Sequence, residues 1–160
     1  MFSFLKKKED AVILGSPIKG KAVSLSEVSD PTFSSGMLGK GSAVIPSEGK
    51  VFAPCDGEVG MVFDTLHAIS MTAQNGAEIL MHIGLDTVQM KGEGFQAYVK
   101  AGDQVKKGDL LLTMDIDKIR EAGYDPISPI IICNTDEYKD VQQVVLADVE
   151  AGDDLIKILK

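Results

Sequence analysis

The sequence predicts an all-β fold: an antiparallel sandwich or barrel, built from related halves, with only short helical turns. Three observations lead there. Apolar runs of strand length recur along the chain between frequent turn residues, and helical signals are thin. The 16 Gly and 6 Pro are spread over the 160 residues instead of gathering into a linker. Segments also echo one another. Ser16-Pro17-Ile18-Lys19-Gly20-Lys21-Ala22-Val23 is matched by Ala53-Pro54-Cys55-Asp56-Gly57-Glu58-Val59, and Val99-Lys100-Ala101-Gly102-Asp103 by Val149-Glu150-Ala151-Gly152-Asp153. Two echoes in the same order point to duplication.

Taken in order, residues 1–10 stand apart as a flexible N-terminal segment. Phe2, Phe4 and Leu5 precede Lys6, Lys7 and Lys8, the reverse of a secretory signal, and the apolar part is too short for one. At most, residues 1–8 make weak membrane-surface contact. Residues 11–160 are expected to form one β domain. Strands are expected at 12–14, 43–45, 58–63, 68–71, 78–83, 110–114, 130–133, 141–146 and 155–159. Residues 117–122 predict one or two helical turns, capped by Asp115 or Asp117 and stopped by Gly123. Residues 86–90 and 135–139 each have room for one turn. Gly102-Asp103 and Gly152-Asp153 are turn signals that lead into apolar strands.

Composition removes several function classes. The net charge is −8, from 24 Asp+Glu against 16 Lys+Arg, and the pI is about 4.7. That leaves no basic surplus for a nucleic-acid surface. Arg120 is the single arginine, so a phosphate clamp built on an Arg cluster is excluded. No run of 18 apolar residues occurs, so nothing is expected to span a membrane. Without an export signal the cytoplasm is expected, where Cys55 and Cys133 stay reduced. Both thiols sit in strand-like apolar settings and read as buried small hydrophobes.

Two glycine-rich stretches are decoys. Gly36-Met37-Leu38-Gly39-Lys40-Gly41-Ser42 lacks the Gly a phosphate loop needs five residues before Gly-Lys. Gly92-Glu93-Gly94-Phe95-Gln96-Ala97 fits a dinucleotide fingerprint loosely but has no helix of useful length behind it. Residues 99–110 resemble the hairpin of lipoyl and biotinyl carrier domains. There the modified Lys follows that hairpin, whereas Lys91 precedes it.

The chemistry gathers on the only two histidines, His67 and His82. They flank the clearest hairpin signal in the chain, with Asn75-Gly76 as the tight turn. Centring the turn on that pair sets His67 opposite Gly84 and His82 opposite Ile69. The two rings then share a face as diagonal neighbours, with Cβ atoms about 7–8 Å apart or less. A single bulge would send one of them to the other face. Three readings are open. The rings are satisfied structural residues; or they ligate zinc in a hydrolase with Asp86 or Asp64 as a third ligand; or one is a phosphoryl carrier and the other stabilises the phosphoryl charge. The last needs no metal, nucleotide or other cofactor.

A longer set of residues decides among them. His67-Ala68-Ile69, Leu80-Met81-His82-Ile83-Gly84-Leu85-Asp86-Thr87-Val88 and Lys91-Gly92-Glu93-Gly94-Phe95 resemble the IIA component of the glucose family of the bacterial phosphoenolpyruvate:sugar phosphotransferase system. Asp30-Pro31-Thr32-Phe33, Gly39-Lys40-Gly41-Ser42-Ala43 and Ser128-Pro129-Ile130-Ile131 extend the likeness over nearly the whole chain. The 15-residue spacing of the histidines matches too. Leu80 and Gln89 depart from the pattern, standing where some members have Phe and Glu.

The resemblance implies a compact antiparallel β-sandwich and a cytoplasmic phosphotransferase. His82 would accept a phosphoryl group from the histidine-containing phosphocarrier protein and pass it to a cysteine on the IIB component of a glucose-type sugar permease. His67 would assist as charge stabiliser, Thr65 would orient the His67 ring, the Gly84 carbonyl would fix the His82 tautomer, and Asp86 would sit at the edge. Transfer between two protein nucleophiles calls for a water-excluding, exposed apolar rim. Phe33, Met37, Leu38, Phe63 and Leu80 are the candidates.

Overall fold

The computed structural model describes residues 11–160. The flexible segment expected at residues 1–10, with its membrane-surface contact, lies outside the described residues. Strands β1 (Ala11–Gly15), β2 (Gly20–Val23), β3 (Lys40–Pro46), β4 (Lys50–Phe52) and β5 (Gly57–Val62) come first. The hairpin β6 (Ala68–Ala73) and β7 (Glu78–His82) follows. The remaining strands are β8 (Phe95–Ala97), β9 (Gln104–Val105), β10 (Leu110–Met114), β11 (Ser128–Ile132), β12 (Asp140–Gln143), β13 (Asp148–Val149) and β14 (Asp154–Leu159). Two short helices interrupt them: α1 (Pro31–Ser34) and α2 (Ile116–Glu121). No described helix is long and apolar enough to cross a membrane.

The strands form three antiparallel sheets: eight strands ordered β13-β2-β3-β11-β7-β6-β5-β9, and two three-stranded sheets, β1-β14-β12 and β4-β10-β8. The main apolar core draws on all three. Ile69, Met81 and Ile130 of the large sheet meet Leu14 and Ile156 of one small sheet and Val51 and Leu112 of the other. Each such buried side chain contributes roughly 1.5–3 kcal/mol relative to exposure. A second cluster covers part of the large sheet's other face, where Val23, Ala43 and Ile131 pack against Leu25, Val28 and Phe33. This all-β sandwich is the fold class the sequence predicts.

Five strands, β2, β4, β8, β9 and β13, escape the sequence reading because they hold only two to four residues each. Helix α2 begins one residue before the expected 117–122, capped by the first of the two expected aspartates, with the Asp115 carboxylate accepting the Lys118 N–H at 3.1 Å. Helix α1 was not expected. Its Asp30 cap accepts the Thr32 N–H at 2.9 Å, and Pro31 supplies a preset first turn.

The duplication is legible as paired hydrogen bonds. Gly15 N–H donates to Pro54 O, and Phe52 N–H donates to Pro17 O. Gly152 N–H donates to Ser16 O, and Gly108 N–H donates to Ala53 O. Ser16 N–H reaches Asp153 O as Ala53 N–H reaches Asp109 O. Val149 faces Gly20 as Val105 faces Gly57. The counterpart of residues 149–153 is therefore 105–109, not the 99–103 stretch that the sequence echo favours. All three turns close with an Asp side chain on a backbone N–H, from Lys100, Lys106 and Glu150. That shared turn chemistry explains why 99–103 looks alike without being the partner.

The cysteines also need correction. Cys55 is half-buried and Cys133 is exposed, so neither is fully buried as expected. Strand β11 ends at Ile132, and Cys133 stands just beyond it, donating its N–H to Glu78 O.

Candidate functional site

The site is built on the hairpin β6–β7, whose register differs by one residue from the sequence expectation. Ala73 and Ala77 close the turn, Gly76 N–H donates to Ala73 O, and Gln74-Asn75-Gly76 form a three-residue loop. Gly76 takes φ +91°, the left-handed position of that loop type. His82 consequently faces Ala68, not Ile69. His67 precedes the first residue of β6 and is held by the Ile83 N–H on its carbonyl, so it does not face Gly84.

Under strict alternation this register would put the two rings on opposite faces. They are nevertheless adjacent, with ring centroids 5.1 Å apart and planes 77° from each other. The reason lies before the strand: the chain bends at Leu66 and His67, and Leu66 has φ +58°. His67 stands outside the strand's two-residue alternation.

Each ring is fixed through Nδ1. His82 Nδ1 lies 2.7 Å from the Gly84 carbonyl oxygen, which can only accept, so this nitrogen carries the proton. Nε2 of His82 is then the unprotonated nitrogen with a free lone pair. His67 Nδ1 lies 2.5 Å from the Thr65 hydroxyl. Phe33 packs against His82 with ring centroids 4.8 Å apart, and Phe63 meets His67 edge-on at 5.4 Å.

The Gly84 carbonyl is itself braced by residues the sequence reading missed. Gly84 N–H donates to the Ser128 hydroxyl at 3.3 Å, and that hydroxyl donates to Pro126 O at 2.9 Å. Thr87 Oγ1 donates to Ile83 O, and Leu85 N–H reaches Asp125 O. Ser128 and Thr87 are fully buried. A signal existed: Ser128 is the polar residue that opens an otherwise apolar strand. Gly84 is required twice over. Its φ is +79°, and a Cβ there would meet Thr87 Cγ2 at 2.5 Å and Asp125 O at 3.1 Å. Gly84→Ala is expected to destabilise the fold by about 1–3 kcal/mol and to release the His82 ring. Urea unfolding and ¹⁵N shifts of the His82 ring check both effects.

Burial disfavours the charged form of both imidazoles. Burial lowers the His82 pKa below 6.5, against the Gly84 carbonyl and the Asp30 and Asp86 carboxylates, which all push it up. Burial lowers His67 as well, and the neighbouring His82 adds to the effect. The unfolded chain therefore binds protons that the folded chain refuses. Stability from this source is full above pH 6.5 and falls as pH drops below it toward the folded pKa values. NMR titrations should place both midpoints below 6.5. The loss of stability below pH 6.5 should flatten when both histidines are replaced by Gln.

The other expected residues divide. Asp86 is exposed in a left-handed conformation at the site's edge. Leu80 is half-buried two residues before His82 on β7, hence on its face. Phe33, taken as exposed rim, is only 5% exposed, because α1 lays it into the second apolar cluster. Leu38 packs against that same cluster, Phe63 is partly buried, and Met37 is 74% exposed. Val88, in the turn after Asp86, is 42% exposed. Five cavities of the described surface, among them the groove along Phe95, Thr113 and Arg120, are lined by neither histidine.

Known proteins share this chain's sequence and fold. Residues 12–138 match the family described as phosphoenolpyruvate-dependent sugar phosphotransferase system, EIIA 1. The chain belongs to that family. It is a phosphocarrier component of the sugar phosphotransferase system, and thus a transferase. A PTS system glucose-specific EIIA component from Oceanobacillus iheyensis is 47% identical over 156 residues, covering 98% of this chain and 94% of that one. A PTS system beta-glucoside-specific EIIBCA component from Bacillus subtilis is 52% identical over 126 residues. That match covers 79% of this chain but only 21% of the larger protein. Among solved structures, glucose permease IIA from Mycoplasma capricolum superposes with a TM-score of 0.86 at 35% identity, covering 92% of this chain and 95% of that one.

The zinc-hydrolase alternative has no support in these relatives. Among the described residues no three His, Cys, Asp or Glu side chains are grouped to hold a metal ion, so neither Asp86 nor Asp64 completes a ligand set. Family membership likewise displaces the carrier-domain reading of Lys91.

Proposed function

We propose that His82 is the phosphoryl acceptor of this phosphocarrier and His67 its charge-stabilising partner. The observation that carries the assignment is the Gly84 carbonyl on His82 Nδ1, which leaves Nε2 free as nucleophile. The donor is the histidine-containing phosphocarrier protein. The N–P bond of its phosphohistidine breaks as the bond from His82 Nε2 to phosphorus forms. The departing imidazole keeps the electron pair, and His82 Nδ1 keeps its proton. In the second half-reaction a cysteine thiolate of a IIB unit attacks the phosphorus and Nε2 leaves. Neutral imidazoles serve both steps, because a protonated His82 cannot attack.

Thr65 orients the His67 ring, and Asp86 marks the edge of the site. Phe33 and Phe63 flank the rings, while Met37, Leu38, Leu80 and Val88 supply apolar surface for partners. The net charge of −8 suits partners with basic faces and favours rapid encounter. Relatives whose names join EIIA to EIIB and EIIC in one chain support a IIB unit as receiver, and the glucose-specific relatives support a glucose-type permease. The relay operates in the cytoplasm. Phosphoryl transfer from phosphoenolpyruvate through the two general phosphotransferase proteins, followed by a phosphosite map, tests the reading. A phosphate on any residue other than His82 overturns it.

A further inference from the structure

We propose that Leu66 is a positioning residue, whose left-handed backbone places His67 beside His82. The inference rests on the histidine roles proposed above. The β5–β6 connection is one residue longer than the β6–β7 turn, but the two share one kind of hydrogen bond. Leu66 N–H donates to Phe63 O at 2.7 Å, and Gly76 N–H donates to Ala73 O at 2.9 Å. Both residues have positive φ, +58° and +91°. The turn remote from the histidines uses glycine, which takes this conformation at no steric cost. The turn that delivers His67 uses leucine, which does not.

The side chain does not explain the leucine. Leu66 is half-buried and belongs to neither apolar cluster of the described residues. What its backbone does is plain from its neighbours. Thr65, just before it, bonds the His67 ring, and His67 O, just after it, accepts the Ile83 N–H at 2.6 Å. The left-handed residue lies between these two anchors, and it lets the chain bend so that His67 escapes the alternation that would turn it from His82. A side chain at this position also narrows the turn's conformational choice relative to glycine. Strained φ values persist where surrounding contacts over-determine them, and they gather at functional sites.

Two variants separate backbone from side chain. Leu66→Val puts a β-branched residue where left-handed φ is least tolerated. Leu66→Gly keeps that φ accessible and removes the side chain. In Leu66→Val the nuclear Overhauser contacts between the His67 and His82 rings should vanish. Onward transfer to the IIB cysteine should slow at least about tenfold, with acceptance on His82 within about threefold of the parent. Leu66→Gly should retain the ring contacts and transfer onward within about threefold of the parent. Intact ring contacts in Leu66→Val, or equal damage in both variants, overturn the proposal. Ring contacts report position whatever His67 does, so a failure of the charge-stabiliser role would appear separately, as normal onward transfer in His67→Gln.

Discussion

His82→Ala is expected to accept no phosphoryl group from the histidine-containing phosphocarrier protein, while remaining folded. The substitution removes the one nitrogen whose lone pair the Gly84 carbonyl leaves free. His67 cannot take over from its own position, because it is a second ring 5.1 Å away, held by Thr65 and not by a carbonyl. The variant should fold because His82 is only half-buried, at the last position of β7. The hydrogen bond lost there contributes about 1 kcal/mol, a fraction of typical domain stability. His82→Gln gives the same expectation with less change in volume against Phe33. Single-turnover labelling with the phosphorylated donor, beside a urea unfolding curve, measures both parts. Normal labelling of either variant removes His82 from its role. Absent labelling together with an unfolded chain would direct the test to His82→Gln.

The fold class and the histidine pair were legible in the sequence for simple reasons. Apolar runs of strand length mark β3, β5–β7, β10, β11 and β14 because these strands line the core. Asn75-Gly76 marks the hairpin because a residue with positive φ is needed there. The register was not legible, because the same two residues fit a two-residue or a three-residue loop. The expected adjacency of the rings survives through two departures that offset each other. The longer loop shifts β7 by one residue, and the bend at Leu66 takes His67 out of the alternation. Nothing in a leucine announces a left-handed backbone. Helix α1 escaped because four residues carry too little periodicity, although Asp30-Pro31 was a fair capping signal. Phe33 was misplaced for the same reason, since its burial depends on that helix. The Ser128 brace joins segments 44 residues apart, so its polar place at the head of an apolar strand marks a buried hydroxyl but not its partner, whereas Thr87 bonds back only four residues, to Ile83. Cys133 shows the limit of reading burial from neighbours in sequence: three buried isoleucines precede it, but the strand stops before it.

His67→Gln is expected to separate the two half-reactions. If His67 stabilises charge, its loss leaves the His82 nucleophile and the Gly84 bond in place. The glutamine amide still offers an N–H within the same space, so acceptance should stay within about tenfold of the parent. Onward transfer differs. The phosphoryl group is then leaving His82, with its charge spread over the oxygens, and it needs a donor held in fixed aim. His67 has that aim because Thr65 grips Nδ1 and Phe63 backs the ring at 5.4 Å. A glutamine has neither restraint. Loss of one well-placed donor costs about 2.7–4 kcal/mol in the transition state, a factor of about 10² to 10³ in rate. The phosphorylated variant should accumulate and persist when the IIB unit is added. Rapid-quench measurement of each half-reaction decides it. Acceptance that fails in His67→Gln but survives in His82→Gln reverses the two roles. Equal slowing of both half-reactions makes His67 a structural support and not a partner in onward transfer.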